Sequence, residues 1–442
     1  MRLIGLLLGS ALAASAPIPA GPAGGALAGE RPRVVVSTDI GGSDPDDFQS
    51  MVHLLLYADL LEIEGIVSSP WGPGRRKDVL DVIDRYAADY PNLETYSDRY
   101  PAPEELREIT KQGAVEPAHG DGIAPRTEGS DWIVRCARRE DPRPLWVLVW
   151  GGIDDLARAL HDDPSIAPEL RVYFIAGPNK KWGIAAYEYL VTHHPDLWII
   201  ESNDTYRGWF TGGDAERDLG NQSFVTRYAS GAGALGDFFA GLLGGRIKMG
   251  DTPSVAYLLR GTPEDPKQPS WGGRYVRAWP RQRLVVRGRP ARAADEIEQF
   301  GILELIPPAA SIPDVEAALV VDGQRFPASV DGATGAVRFR FMPKEAKRWS
   351  YRIDSADASL DGRRGEFTSF RPPPRRAEEP DPGLPNWFTD DPSPEWSEGP
   401  HLGARTVSRW RGDFLRDFAR RLDRCRAPAR TPASGAARPA RR

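Results

Sequence analysis

Long apolar runs, cysteine and surplus charge are all scarce in this chain, and each scarcity excludes something. No stretch of the 442 residues reaches the roughly 20 apolar residues that a bilayer-spanning helix needs, so no membrane span is expected. Cys136 and Cys425 are the only cysteines and allow at most one disulfide. Cys136 falls on the apolar side of a helical pattern, so two isolated thiols are expected. No His and Cys spacing of a zinc site occurs, and no Gly-Lys-Ser/Thr phosphate loop. A net charge of −5 gives no reason to expect a nucleic-acid partner. With 40% apolar and 27% charged residues the composition is that of an ordinary globular protein, and the length suits two domains.

Tryptophan, by contrast, is plentiful at 13 residues. Most should be core, and a minority on an exposed face would suit stacking against the C–H face of a sugar. The start, "MRLIGLLLGSALAASA", has one Arg, a short apolar run and then small residues, the layout of a secretory signal. Small-x-small sites end at Ala16 and Ala28, and Pro17 disfavours the first. A signal peptide over 1–28 is therefore expected, with an exported mature protein. The Pro-, Ala- and Arg-rich stretch 426–442 reads as a disordered basic tail.

Between these ends, short apolar runs alternate with helical periods. Strands are expected at Val34–Ser37, Ile63–Ser68, Leu145–Trp150, Leu170–Ile175 and Leu197–Glu201. Helices are expected at Asp47–Ala58, Arg76–Asp89, Ser130–Arg139, Asp154–His161 and Ala185–His194. The runs are continuous, which suits strands buried on both faces of an open, mostly parallel sheet with helices on both sides: an α/β domain over 31–281. Two-residue alternation with Asp-Gly turns then reads as a small antiparallel β-sandwich over 282–370. A Pro-rich linker follows at 371–385. The segment 386–425 reads as helical, with Val407, Trp410, Phe414, Leu415, Phe418 and Leu422 forming a stripe that must pack back on the α/β domain.

Ligands of open α/β sheets sit beyond the carboxyl ends of the strands, and acidic residues recur there. "VVVSTDIGGSDPDD" sets Asp39, Asp44, Asp46 and Asp47 just after the first strand. Such crowding is unfavourable unless a hard cation, Ca²⁺ above all, takes the carboxylates as ligands. The plain alternative is an Asp-rich turn capping the next helix. "GGIDDLARAL" brings Asp154 and Asp155, "GDTPSVAYL" brings Asp251, and "ESN" places Glu201 and Asn203 two apart on extended chain, able to face one ligand.

"STDIGGSDPDD" resembles the aspartate-rich signature of the inosine–uridine nucleoside hydrolases. "AHGDGI", "GGIDDLARAL", "ESN" and "GDTPSVAYL" are similar to other segments of that family, in the same order. "GPNKKWG", "WGGRYVRAW" and "VSRWRGDFLRDFA" resemble more closely the secreted bacterial proteins described as cellulose-binding with a nucleoside-hydrolase-like domain. The resemblance, which spans nearly all of 33–425, implies a nucleoside-hydrolase-like fold. It also implies Ca²⁺ held by Asp39, by Asp46 or Asp47, by the backbone carbonyl of Asp154, and by Asp251. Asp44 belongs to a lengthened loop and is an alternative ligand. Asp39 would take a proton from a water attacking the anomeric carbon, Glu201 and Asn203 would hold sugar hydroxyls, and His119 would touch substrate. Two departures stand out. Gly250 occupies the position where the family commonly has a His beside the last aspartate. "SSPWGPG" lacks the sugar-binding Asn expected after the second strand and offers Ser69 and Trp71. Lys180, Lys181, Trp182 and Trp71 are candidates to line a pocket for another glycoside.

A dehalogenase-type phosphatase would need a second Asp at position 41, which is Gly. Two readings stay open. One is a secreted or periplasmic bacterial Ca²⁺-dependent hydrolase of N-glycosyl or related glycosidic bonds. The other is a cellulose- or polysaccharide-binding protein on a scaffold that has lost catalysis. The first takes a small nucleoside or glycoside as its partner, and a homo-oligomer is compatible with either.

Overall fold

The computed structural model describes residues 30–426 except Ser43, Pro70, Trp71, Pro73 and the segments 119–122, 309–315, 332–333 and 376–378. The expected signal peptide, the basic tail, His119 and Trp71 lie outside the described residues.

The continuous apolar runs become the strands of one eight-stranded sheet. In chain order these are β1 (Arg33–Thr38), β2 (Glu62–Ser68), β3 (Thr110–Gln112), β4 (Leu145–Val149), β5 (Leu170–Ile175), β6 (Ile199–Ser202) and β7 (Tyr275–Arg277), joined late by β17 (Trp387–Asp390). Their spatial order is β3-β2-β1-β4-β5-β6-β17-β7, and all neighbours run parallel except the last pair. β2 and β3 lie on one side of β1, and β4 to β6 on the other. Chain connections leave in opposite directions at that switch point, which opens a crevice beyond the ends of β1 and β4.

Each strand serves two cores, as burial on both faces requires. β1 sends Val34 and Val36 to one and Val35 to the other; β4 divides Trp146 and Leu148 from Val147 and Val149. Helices Asp46–Leu56, Arg76–Leu93 and Arg411–Asp423 cover the first face, and Glu128–Ala137, Asp154–Asp162 and Ile184–His193 the second. Cys136 packs in the second core and Cys425 in the first, so the sheet separates them and both are free, buried thiols.

The chain between β7 and β17 forms β8 (Arg283–Arg287), β9 (Glu296–Glu298), β10 (Ile302–Ile306), β11 (Ala317–Val321), β12 (Gln324–Pro327), β13 (Ser329–Val330), β14 (Val337–Phe341), β15 (Arg348–Ser355) and β16 (Arg364–Phe370). They make a four-stranded and a five-stranded sheet around a third core that includes Phe326, Phe339, Phe341, Trp349 and Phe367. The sandwich is not wholly antiparallel: β8 pairs parallel with β10, and β9 parallel with β16, because β9 crosses between sheets before the chain returns in β10.

The segment 386–425 also differs from expectation. Its first four structured residues are β17, a strand of aromatic and β-branched residues held between Asn386 and Asp391. Its helical part breaks into Arg405–Ser408 and Arg411–Asp423. Val407, Phe414, Leu415, Phe418 and Leu422 lie in the first core, with Trp410 packed against it.

Candidate active site

β1 ends at Thr38, and the chain turns at once into helix Asp46–Leu56. Asp46 and Asp47 occupy its first turn, yet neither caps it: the N-cap residue is Pro45 and no side-chain cap bond is made. Asp47 instead accepts from Thr38 Oγ1 at 2.6 Å, and Asp46 Oδ2 accepts from the Gly250 N–H at 3.0 Å. The capping explanation of the aspartates does not hold. Asp251 arrives from the opposite side, its N–H donating to Ser50 Oγ at 3.2 Å. Its Oδ2 is buried with no hydrogen-bond partner among the described residues.

Asp39, Asp44, Asp46, Asp47 and Asp251 share one cavity of about 210 Å³ at the switch point. Burial and mutual repulsion dominate their chemistry. Burial, with Asp46 adding, pushes Asp39 up to about 7, although a hydrogen bond with Asp47 opposes it. Burial and then Asp47 push Asp46 up to about 8. Asp47 and Asp251 are driven well above the carboxylate range, by burial first and then by Asp39 and Asp47 respectively. Lys248 relieves one edge, pairing with the exposed Asp44 and, at 3.3 Å, with Asp46. Burial pushes Asp44 up, but its hydrogen bond with Asp46 and the Lys248 ammonium hold it below its ordinary value.

The β4 end supplies the second wall. A Cβ on Gly151 would stand 2.5 Å from the Cβ of Asp39, so glycine lets this turn close on the aspartate. Asp154 lines a smaller adjoining cavity with Asp39, Ser69, Asn179 and Trp182. Its Oδ1 accepts from the Ala118 N–H at 2.8 Å, and burial pushes its pKa up to about 6.

Glu201 and Asn203 are placed elsewhere. Glu201 is 1% exposed and held by Lys180, by Arg281 at 2.8 Å and by Tyr187 Oη at 3.1 Å. Asn203 donates to the Glu201 carbonyl at 3.3 Å and to Thr389 Oγ1 at 3.2 Å. β17 adds beside β6 and takes Asn203 through Thr389, while the Glu201 carboxylate is held by Lys180, Tyr187 and Arg281. Asp390 at the end of β17 accepts the N–H groups of Asn203, Asp204 and Thr205. Lys180 is therefore part of a buried ion cluster, whereas Lys181 and Trp182 line the cavity. A Cβ on Gly250 would stand 2.4 Å from Asp46 Oδ2, so any side chain there must displace the Asp46 carboxylate.

Asn179, whose Nδ2 donates to the Trp150 carbonyl at 2.6 Å, lies within "GPNKKWG" but is not among the site residues expected from sequence; three other cavity residues carried no sequence signal, Lys248, and Gln324 and Lys344 from the β-sandwich. These three reach the site through tertiary packing, not through a local motif.

A mostly parallel sheet with an acidic cavity at its switch point is an α/β architecture in which ligands are expected at that crevice. Residues 33–275, just over half of the chain, match the family model described as "Cellulose-binding Sde182, nucleoside hydrolase-like domain", and the chain belongs to that family. No curated protein sequence matches the chain. Among solved structures, it is similar to a nucleoside hydrolase-related hypothetical protein from Saccharophagus degradans associated with carbohydrate metabolism (18% identity, 77% of this chain and 100% of that one, TM-score 0.47). Others are a plant nucleoside hydrolase (11% identity, 90% and 100%, TM-score 0.38) and a purine-preferring ribonucleoside hydrolase from Gardnerella vaginalis (12% identity, 88% and 99%, TM-score 0.35).

Proposed function

We propose that the protein is an exported bacterial calcium-dependent hydrolase of N-glycosyl or related glycosidic bonds. One observation carries the reading: Asp39, Asp46, Asp47 and Asp251, from distant parts of the chain, meet on one cavity at the sheet's switch point. As placed, no three His, Cys, Asp or Glu side chains among the described residues close a coordination group. The donor chemistry nonetheless fits Ca²⁺: the ligands are all oxygen, the Asp251 Oδ2 is buried and unpartnered, and Lys248 offsets only the outer edge. Asp39, Asp46 or Asp47, and Asp251 would hold the ion, with Asp44 and Asp154 at the margins. Bound calcium would supply positive charge that polarises water.

The chain's own residues do the rest. Asp39 faces both cavities and is the carboxylate placed to accept a proton from an attacking water. The remaining carboxylate charge favours the positive charge that develops on a sugar ring as its glycosidic bond breaks. Asn179 and Trp182 lie where a sugar would be positioned.

Incubation with p-nitrophenyl riboside, inosine and cello-oligosaccharides, in calcium and in chelator, tests the activity. Turnover only in calcium supports it, and no turnover in either ends it. Calcium should also raise the unfolding midpoint, since a ligand at about 100 times its Kd adds about 2.7 kcal/mol to stability. An unchanged midpoint would remove the metal whatever the activity.

Gly250→Ala should push the Asp46 carboxylate out of place and weaken calcium binding by about 10–100-fold, as changes around metal ligands do. Calorimetry checks this, and wild-type affinity in the variant would free Asp46 of a role.

A second reading has its own observation. Glu201 is taken up by Lys180, Arg281 and Tyr187, Asn203 keeps only its Oδ1 unpartnered, and glycine stands at 250, so the sugar and base contacts implied by the resemblance are depleted among the described residues. That favours polysaccharide binding without catalysis. Retention on insoluble cellulose with no turnover would decide for it.

A further inference from the structure

The cavity has an acidic floor and a basic wall, and nothing so far uses the wall. Lys181 follows β5, and Lys344 follows β14 in the sandwich; both line the cavity, facing Gln324 and Trp182. Lys181 is buried, and its Nζ donates to Gln324 Oε1 at 2.7 Å. An ammonium has three donors, so two are left over. Neither lysine forms an ion pair among the described residues, unlike Lys248 and Lys180 on either side. Gln324 is set by the Asp322-Gly323 turn, whose residues have φ of 48° and 76°, so the β11–β12 hairpin closes over the cavity.

Lys181 sits over the Trp182 ring at 4.8 Å, and Lys344 is half-buried; with no carboxylate in contact, the two ammonium groups repel each other and resist burial. Burial, then Lys344 and Arg207, push Lys181 down to about 8. Lys344 is also lowered, by burial and then by Arg207. The nearby Arg207 is already committed to Asp204 at 3.2 Å. Asp322 and Glu345 offset Lys181 only in part and from beyond ion-pair distance, which leaves room for a compact anion at the wall. The volume of about 210 Å³ suits one sugar ring with a small substituent.

The geometry points to a sugar bearing an oxyanion, a carboxylate or a phosphate, as the ligand class of this cavity: the ring lies over the aspartates and the anion lies between Lys181 and Lys344. This rests on the cavity being the glycoside site proposed above. It makes the β-sandwich part of substrate selection, since Lys344 and Gln324 come from it.

Calorimetry on the full chain tests the inference, with glucuronic acid and ribose 5-phosphate set against glucose and ribose, in calcium and in chelator. At least one anionic sugar should bind about 10-fold or more tightly than its neutral partner, as a charge-assisted hydrogen bond implies. Which of the two does so separates carboxylate from phosphate. Lys181→Met and Lys344→Met should each lose the preference. Lys181→Met gives up the Gln324 hydrogen bond but also a buried charge with no carboxylate in contact, so it should unfold close to wild type. A marked loss of its stability with the preference intact would show that Lys181 only joins the two domains. Equal binding of charged and neutral sugars, no binding of either, or inorganic phosphate binding as tightly as the sugars would overturn the inference. Calcium uptake without charge preference sinks this inference and leaves the hydrolase standing. Charge preference without calcium uptake does the reverse.

Discussion

Asp39→Asn is expected to cut turnover by about 10²–10⁴-fold, the range for losing a positioned proton acceptor, while leaving the fold intact. Asparagine matches aspartate in size, and the side chain stands between the two cavities, closed on one side by Gly151. The substitution also removes one negative charge from a group that repels itself, so the calcium-free variant should unfold no earlier than wild type. Turnover and unfolding midpoint measured together in chelator and in calcium check both halves. Full activity in Asp39→Asn would take the proton-accepting role from this residue.

Glu201→Gln should be strongly destabilising, although Glu201 does not line the cavity. It leaves Lys180 and Arg281 buried beside a neutral amide, and breaking a buried pair in this way costs about 3–5 kcal/mol. Burial alone would raise the Glu201 pKa, but Arg281 and then Lys180 more than reverse it and hold it down to about 2. Burial lowers Lys180 to about 8 against the pull of Glu201, so the cluster is still ionised at neutral pH. Because the folded pKa lies below the ordinary 4.5, this stabilisation is complete above that value and is lost as the pH falls towards 2. Denaturant titrations at pH 7 and pH 3 should therefore show a smaller gap between wild type and variant in acid. A gap that does not shrink would mean that the charge of Glu201 is not what matters.

The contrast between these residues shows what the sequence could convey. Asp39, Asp46 and Asp47 were legible because an apolar run followed at once by clustered acids is a local pattern, and their strand-end position follows from parallel-sheet topology. Asp251 was legible as an acid just ahead of an apolar run, its role as a metal ligand only through resemblance, and its meeting with Asp47 is a tertiary fact. Glu201 and Asn203 misled for a physical reason. Alternation along β6 placed them on extended chain, but their environment is set by Arg281 and by β17, four residues that carry too little pattern to be told from loop. The Asp322-Gly323 turn was readable from composition; that it would carry Gln324 to the cavity was not.

The insertion of the sandwich between β7 and β17 has a consequence for how this chain can be divided. Both of its attachment points are strands of the large sheet, so the two parts are laced together and are not beads on a string. A fragment stopping at residue 275, where the family match ends, would leave β6 with a bare hydrogen-bonding edge of the kind that invites aggregation. It would also strip Glu201 of its guanidinium partner and take one lysine from the cavity wall. Any catalytic or binding property of this protein belongs to the whole chain.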